Sequence, residues 1–133
     1  MFKTSNQTMY WEDAPDIKID LSKIVSKLAM EHIQIDKLVC FRSHGSSSRA
    51  RARIWALPHV WQQALRVKPH YIVEVLSEKF DNLSSDDKKR VLIHELMHIP
   101  KNFSGSLLPH RGRGRPVNNR EVEKLFVTYT RHT

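Results

Sequence analysis

Apolar residues recur at helical spacing in three parts of the chain. Residues 21–33 carry them three and four positions apart, which predicts a first helix. A second helix should begin after Ser84, a good N-cap followed by acidic residues, and should end before Pro100. A final helix should begin at Asn118 or Asn119. Its apolar side is formed by Val122, Leu125, Phe126 and Tyr129.

Three shorter segments have the composition or the alternation of β-strands. Residues 37–42 and 71–76 are rich in apolar residues, and residues 49–57 alternate between charged and apolar positions. Residues 43–48 are rich in serine and glycine, so the first two strands should form a hairpin around them. Residues 60–65 predict a short helical turn. The whole pattern predicts an α+β fold, with a small, mainly antiparallel sheet packed on the second helix and further helices at both ends.

The size and composition of the chain suit one globular domain. Its 133 residues, 40% of them hydrophobic, can bury one modest core. We therefore expect a single domain over residues 1–133, with residues 1–16 frayed. No apolar run is long enough for a signal peptide or a membrane span, which predicts a soluble, cytoplasmic protein with no membrane contact. Because Cys40 is the only cysteine, an internal disulfide is excluded and a metal ion would need histidine or carboxylate ligands.

The second predicted helix contains the sequence His94-Glu95-Leu96-Met97-His98. Residues four apart project from the same face of a helix, so His94 and His98 can bind one metal ion. Glu95 lies beside His94 and can take a proton from a water on that ion, as in zinc-dependent peptidases. Two ordinary surface histidines are the simpler alternative. The helix around them is apolar, however, and unpaired imidazoles there would carry a desolvation penalty.

A third metal ligand must come from another segment, because a catalytic zinc ion commonly has three protein ligands and one position for water. His110 is the preferred candidate, since Pro100 ends the helix and Gly105 lets the following loop turn back. Five other residues are possible ligands but are more simply explained as surface, core or supporting residues: His44, His59, His70, Glu74 and Glu121. Glu123 and His132 are expected on a helix surface.

Three stretches of the chain, about half of its length, carry further motifs. They are Arg42-Ser43-His44-Gly45-Ser46 followed by Ala52-Arg53-Ile54-Trp55, then Tyr71-Ile72-Val73-Glu74-Val75, and finally Leu92 to Arg111. With these motifs the chain resembles a family of small prokaryotic and phage metallopeptidases related to the SprT-like zincins. The resemblance implies a compact minimal zincin-like domain with one Zn²⁺ per chain on His94, His98 and His110. It also implies Glu95 as the general base and a peptide or protein as substrate.

The chain has a formal net charge of +8, and many of its arginines lie in two short segments. Arg49, Arg51 and Arg53 alternate along a predicted strand, and Arg111 and Arg113 lie in an Arg/Gly loop. They could contact a substrate or neutralise the phosphates of a nucleic acid, although a solvated strand face and a flexible loop are simpler interpretations. The alternative function is a basic nucleic-acid-associated or adaptor protein in which zinc is only structural.

A peptidase of this kind would hold its substrate as an added strand on the sheet edge beside the metal-binding helix. Arg51 or Arg53, if it faced the cleft, would favour acidic peptides or a peptide C-terminus. Trp55 and Trp61 are expected to close the core rather than to stack on bases.

Overall fold

The computed structural model describes residues 9–110 and 117–131. Arg111 and Arg113, which were singled out as possible substrate or nucleic-acid contacts, lie outside the described residues, and so does His132. Within the described ranges, no helix is both long enough and apolar enough to cross a membrane.

Four strands form one mixed sheet in the order β1-β2-β4-β3. The strands are β1 (Tyr10–Asp13), β2 (Leu38–His44), β3 (Ala52–Ala56) and β4 (Tyr71–Leu76). β1 pairs with β2 and β3 pairs with β4 in the antiparallel sense, whereas β2 and β4 are parallel. The prediction of an α+β fold with a small, mainly antiparallel sheet is confirmed.

Two predictions about the sheet are wrong. The first two predicted strands, now β2 and β3, do not form a hairpin, because β4 lies between them. β4 is buried along nearly its whole length, so its apolar run stabilises the centre of the sheet, while the half-polar β3 is an edge strand. The N-terminal segment is also not frayed throughout, since residues 10–13 form the opposite edge strand. Four residues are too few for a visible alternation of apolar and polar positions.

Five α-helices and one short 3-10 turn complete the described fold. They are α1 (Pro15–Lys27), the 3-10 turn (Ile35–Lys37), α2 (His59–Leu65), α3 (Ser77–Phe80), α4 (Ser85–Met97) and α5 (Asn119–Arg131). The predicted caps are confirmed: Ser84 Oγ accepts from the Asp87 N–H at 3.1 Å, and Asn118 Oδ1 accepts from the Glu121 N–H at 3.0 Å.

The first helix begins and ends earlier than its predicted range of residues 21–33. Pro15 is the first helical residue, a position where its missing N–H is not needed, and the buried Ile17 extends the apolar side of Leu21 by one turn. The helix ends near Ala29, whose φ of 50° is left-handed. Ile33 is still buried, which explains why the apolar spacing continued past the end of the helix.

The core lies between one face of the sheet and helices α1, α4 and α5. Its side chains come from all of these elements and include Ile17, Leu21, Ile24, Leu38, Val73, Val75, Leu92, Ile93, Leu96, Val122 and Phe126. The two tryptophans that were expected to close the core do not, because Trp55 is 47% exposed and Trp61 is 54% exposed. Trp55 lies on the sheet face opposite the helices, and Trp61 is on α2, which has no buried residue.

Candidate metal centre

Helix α4 presents His94 and His98 on one side, close to its C-terminal end. Leu92, Ile93 and Leu96 are buried in the core, and this packing fixes the rotation of the helix about its axis. His98 is 6% exposed, whereas His94 is partly exposed towards a cleft. The local sequence therefore gives a helix that places both imidazoles on the same side.

The loop after α4 is anchored so that His110 returns to this helix. The Leu108 N–H donates to the His98 carbonyl at 2.7 Å. Tyr71 in β4 holds the middle of the loop, because its hydroxyl donates to the Ser106 carbonyl and accepts from the Gly105 N–H, both at 2.8 Å. Phe103 packs edge-on against the Tyr71 ring with centroids 5.0 Å apart.

The three histidines converge through their Nε2 atoms. His94 Nε2 lies 3.0 Å from His110 Nε2 and 3.3 Å from His98 Nε2. Two nitrogens bound to one tetrahedral zinc ion at about 2.0–2.1 Å are themselves about 3.3 Å apart. The spacing of this histidine cluster, defined as His94, His98 and His110, therefore fits a metal ion with three nitrogen ligands.

The protonation states also fit a metal site. The His98 Nδ1 is the donor in a short hydrogen bond to the Leu108 carbonyl, so the Nε2 of a neutral ring carries its lone pair towards the cluster. Burial, followed by the proximity of the other two imidazoles, lowers the pKa of His94 to about 4. Burial also lowers the pKa of His98. Neutral imidazoles are the form that binds a metal ion. Without an ion between them, the lone pairs of the three converging nitrogens would repel one another.

Glu95 lies next to the histidine cluster and is 6% exposed. Burial raises the pKa of its carboxyl group to about 7, and no hydrogen bond to it is formed by any residue that the structure describes. The side chain lines a cleft of about 370 Å³ together with His94. A buried carboxyl group that lacks a partner is destabilising, and such groups are concentrated at functional sites.

Residues 9–121 match the family model described as "Putative phage metallopeptidase". The chain belongs to this family. The matched segment contains the sheet, α4 and the loop that carries His110, and so includes the whole histidine cluster. No significant match was found among the curated proteins or among the solved structures. This match does not test a relation to the SprT-like zincins, which stays a prediction.

In this metallopeptidase family member, the other candidate ligands lie in separate places. His44 stacks on Tyr10, His59 faces the Ser104 carbonyl at 3.0 Å, and His70 bonds to the Lys68 carbonyl. Two acidic candidates are likewise occupied. Glu74 is buried against Arg53 and Trp55, and Glu121 forms an exposed ion pair with Lys124.

The three arginines before and within β3 have different surroundings. Arg53 donates from its Nε to Glu74 Oε1 at 2.9 Å, so it forms a partly buried ion pair. Arg49 is exposed, and Arg51 lines the same cleft as His94 and Glu95. These positions give no support to the nucleic-acid hypothesis, because the charge of Arg53 is already neutralised and Arg51 lines the cleft of the histidine cluster.

Two features of the site were not found from the sequence. The sequence predicts Tyr71 only as a strand residue, whereas its hydroxyl also positions the loop, and a tyrosine in a buried strand needs such a partner. Glu123 is exposed on α5, as predicted for a helix-surface residue, but its ion pair with Arg90 at 2.9 Å, which joins α5 to α4 along the cleft, was not predicted. No local signal marks a contact between residues so far apart in the chain.

The backbone conformation of the loop that carries His110 depends on Gly105, and a substitution there tests this dependence. Its φ is +95°, and an added Cβ would lie 2.3 Å from Gln62 Nε2, which donates to the Leu57 carbonyl. We expect Gly105→Ala to lower the free energy of unfolding by about 1–3 kcal/mol and to weaken zinc binding about tenfold or more. Gly45→Ala is the matched control, since Gly45 has a φ of 80° away from the cluster. Zinc titration of both variants measures the difference, and equal zinc affinity in the two would contradict the prediction.

Proposed function

We propose that the protein is a zinc-dependent peptidase in which His94, His98 and His110 hold the metal and Glu95 is the general base. The observation that carries the proposal is the convergence of the three Nε2 atoms, at zinc-like spacing, beside a buried carboxyl group that has no hydrogen-bond partner in residues 9–110 and 117–131. Membership of a metallopeptidase family supports the same reaction class.

A zinc ion bound there would lower the pKa of a coordinated water towards 7 and polarise the carbonyl of the peptide bond. Glu95 would accept the proton of the attacking water on its carboxylate oxygen and then pass it to the nitrogen of the departing amine. In the metal-free protein burial raises the pKa of Glu95 to about 7, and the positive charge of a bound zinc ion would lower it again, which favours the carboxylate form that a base needs. The Leu108 carbonyl would keep the His98 ring in the orientation and tautomer that metal binding needs.

The substrate would lie along the free edge of β3. Among the described strands, β3 pairs only with β4. It also packs against α4, and Ala52 lines the same cleft as His94 and Glu95. An extended peptide can add to such an edge through main-chain hydrogen bonds, which would carry its backbone past the histidine cluster. β1, the other edge strand, lies at the far side of the sheet.

Removal and return of the metal test this function. Zinc-loaded protein should cleave a library of unstructured peptides, the chelated protein should be inactive, and added zinc should restore the cleavage. Mass spectrometry of the products measures the outcome. Cleavage that survives complete chelation, or no cleavage by zinc-loaded protein, would contradict the proposal. The second of these results would favour the adaptor alternative with a structural zinc ion.

A further inference from the structure

The cleft beside the histidine cluster is lined by charged residues, and most of them are paired. Asp87, Arg90 and Glu123 line it together with Arg51 and Glu95. Arg90 donates to Asp87 Oδ1 and to Glu123 Oε2, both at 2.9 Å, and its guanidinium lies 4.1 Å from the Phe126 ring centroid. One cation therefore pairs with two anions of the cleft.

Arg51 is the cation of this cleft that has no acidic partner among the described residues. Its side chain is exposed, but its backbone is fixed, because the Arg51 carbonyl accepts from the Leu76 N–H at 3.0 Å. It comes directly before β3, where the chain turns into the free edge strand. The backbone of Arg51 is thus held at the end of the edge where the substrate backbone would lie, and its side chain lines the cleft from there.

Resting on the proposed function, we propose that Arg51 is a specificity residue that binds a carboxylate of the peptide substrate. A guanidinium offers paired N–H donors that match a carboxylate, and that geometry gives both affinity and orientation. Arg53 cannot take this role because its guanidinium already donates to both carboxylate oxygens of Glu74. Arg90 cannot take it either, because its guanidinium is already paired with Asp87 and Glu123. The carboxylate could come from an aspartate or glutamate side chain or from the C-terminus of the peptide.

A peptide library distinguishes these two sources. Zinc-loaded wild type is given the same peptides with free and with amidated C-termini, and the cleaved sites are read by mass spectrometry. An internal acidic residue at a fixed distance from the cleaved bond in both sets would identify a side-chain carboxylate. Cleavage near the C-terminus that is lost on amidation would identify the α-carboxylate. Cleavage of peptides without regard to either carboxylate would overturn the inference while leaving the proposed function intact.

Substitutions of Arg51 then test whether this residue causes the preference for a substrate carboxylate. For a peptide chosen from the library, Arg51→Ala should raise KM about tenfold with little change in kcat, and Arg51→Glu should reverse the charge preference. Arg49→Ala, which removes an exposed arginine outside the cleft, should change neither. An acidic preference that survives Arg51→Ala would overturn the inference.

Binding to an inactive form separates recognition from turnover. In zinc-loaded Glu95→Gln protein, a further Arg51→Ala change should weaken binding of the same fluorescent peptide about tenfold, and added salt should reduce that difference. Equal affinity with and without Arg51 would overturn the inference. If wild type cleaves no peptide at all, the proposed function fails and this inference falls with it.

Discussion

Glu95→Gln should reduce the peptidase turnover of the zinc-loaded protein about a hundredfold to ten-thousandfold, with zinc still bound. Glutamine has nearly the same shape as glutamate but cannot accept the proton of the attacking water. The three imidazoles are unchanged, so zinc content should stay at about one ion per chain. The measurement is kcat on a peptide that wild type cleaves, together with the metal content of the same sample.

The same substitution should make the metal-free protein more stable. Glu95 is buried and has no hydrogen-bond partner among the described residues, so its charged form is poorly solvated. A neutral amide carries a smaller desolvation penalty, and we expect a gain of about 1–3 kcal/mol at pH 8 in denaturant unfolding. A substitution that raises stability while it lowers turnover is expected at a residue whose role is catalytic and not structural.

Glu121→Gln is the matched control for both measurements. It changes an exposed glutamate on α5 whose ion pair with Lys124 is weak, so activity and stability should both stay close to wild type. An adaptor protein would lose nothing on Glu95→Gln. Unchanged turnover in that variant would therefore contradict the role of Glu95 as general base.

Zinc should raise the melting temperature of the wild-type protein by about 10–20 °C. A ligand that binds only the folded state at about a thousand times its Kd adds about 4 kcal/mol to the free energy of unfolding. The histidine cluster joins α4 to the end of the following loop, and both must be in place before the Nε2 atoms converge. Thermal unfolding with and without zinc measures the shift.

His110→Ala should remove most of this zinc-dependent shift. Because His110 is exposed, its loss should leave the metal-free melting temperature nearly unchanged, which separates loss of a ligand from loss of the fold. His70→Ala is the control, since His70 bonds to the Lys68 carbonyl outside the cluster and its loss should keep the full shift. A full zinc-dependent shift in His110→Ala would exclude His110 as a ligand.

Helix α4 was predictable because its signals are local. Ser84 caps it, acidic residues follow, and Pro100 comes soon after its end, so its position on the chain needed no tertiary information. The four-residue spacing of His94 and His98 then gave the candidate metal site directly. His110 was harder to predict, because its place depends on a loop held by Tyr71 from another part of the chain.

The order of the strands could not be predicted in the same way. β2 pairs with β4 across a parallel connection that contains β3 and α2, and no feature of β2 distinguishes this from a hairpin with β3. The ion pair between Arg53 and Glu74 follows from the antiparallel register of β3 and β4, where the two residues are direct partners. This partner explains why a charged residue, Glu74, is buried in a strand that is otherwise almost entirely apolar.

The most direct test of the account is the metal content of purified protein, measured by elemental analysis in wild type, His110→Ala and His70→Ala. We expect about one zinc ion per chain in wild type and in His70→Ala, and a sharp loss of zinc in His110→Ala. Wild-type protein that holds no metal even after zinc loading would contradict the account. Equal zinc in all three proteins would show instead that His110 is not a ligand.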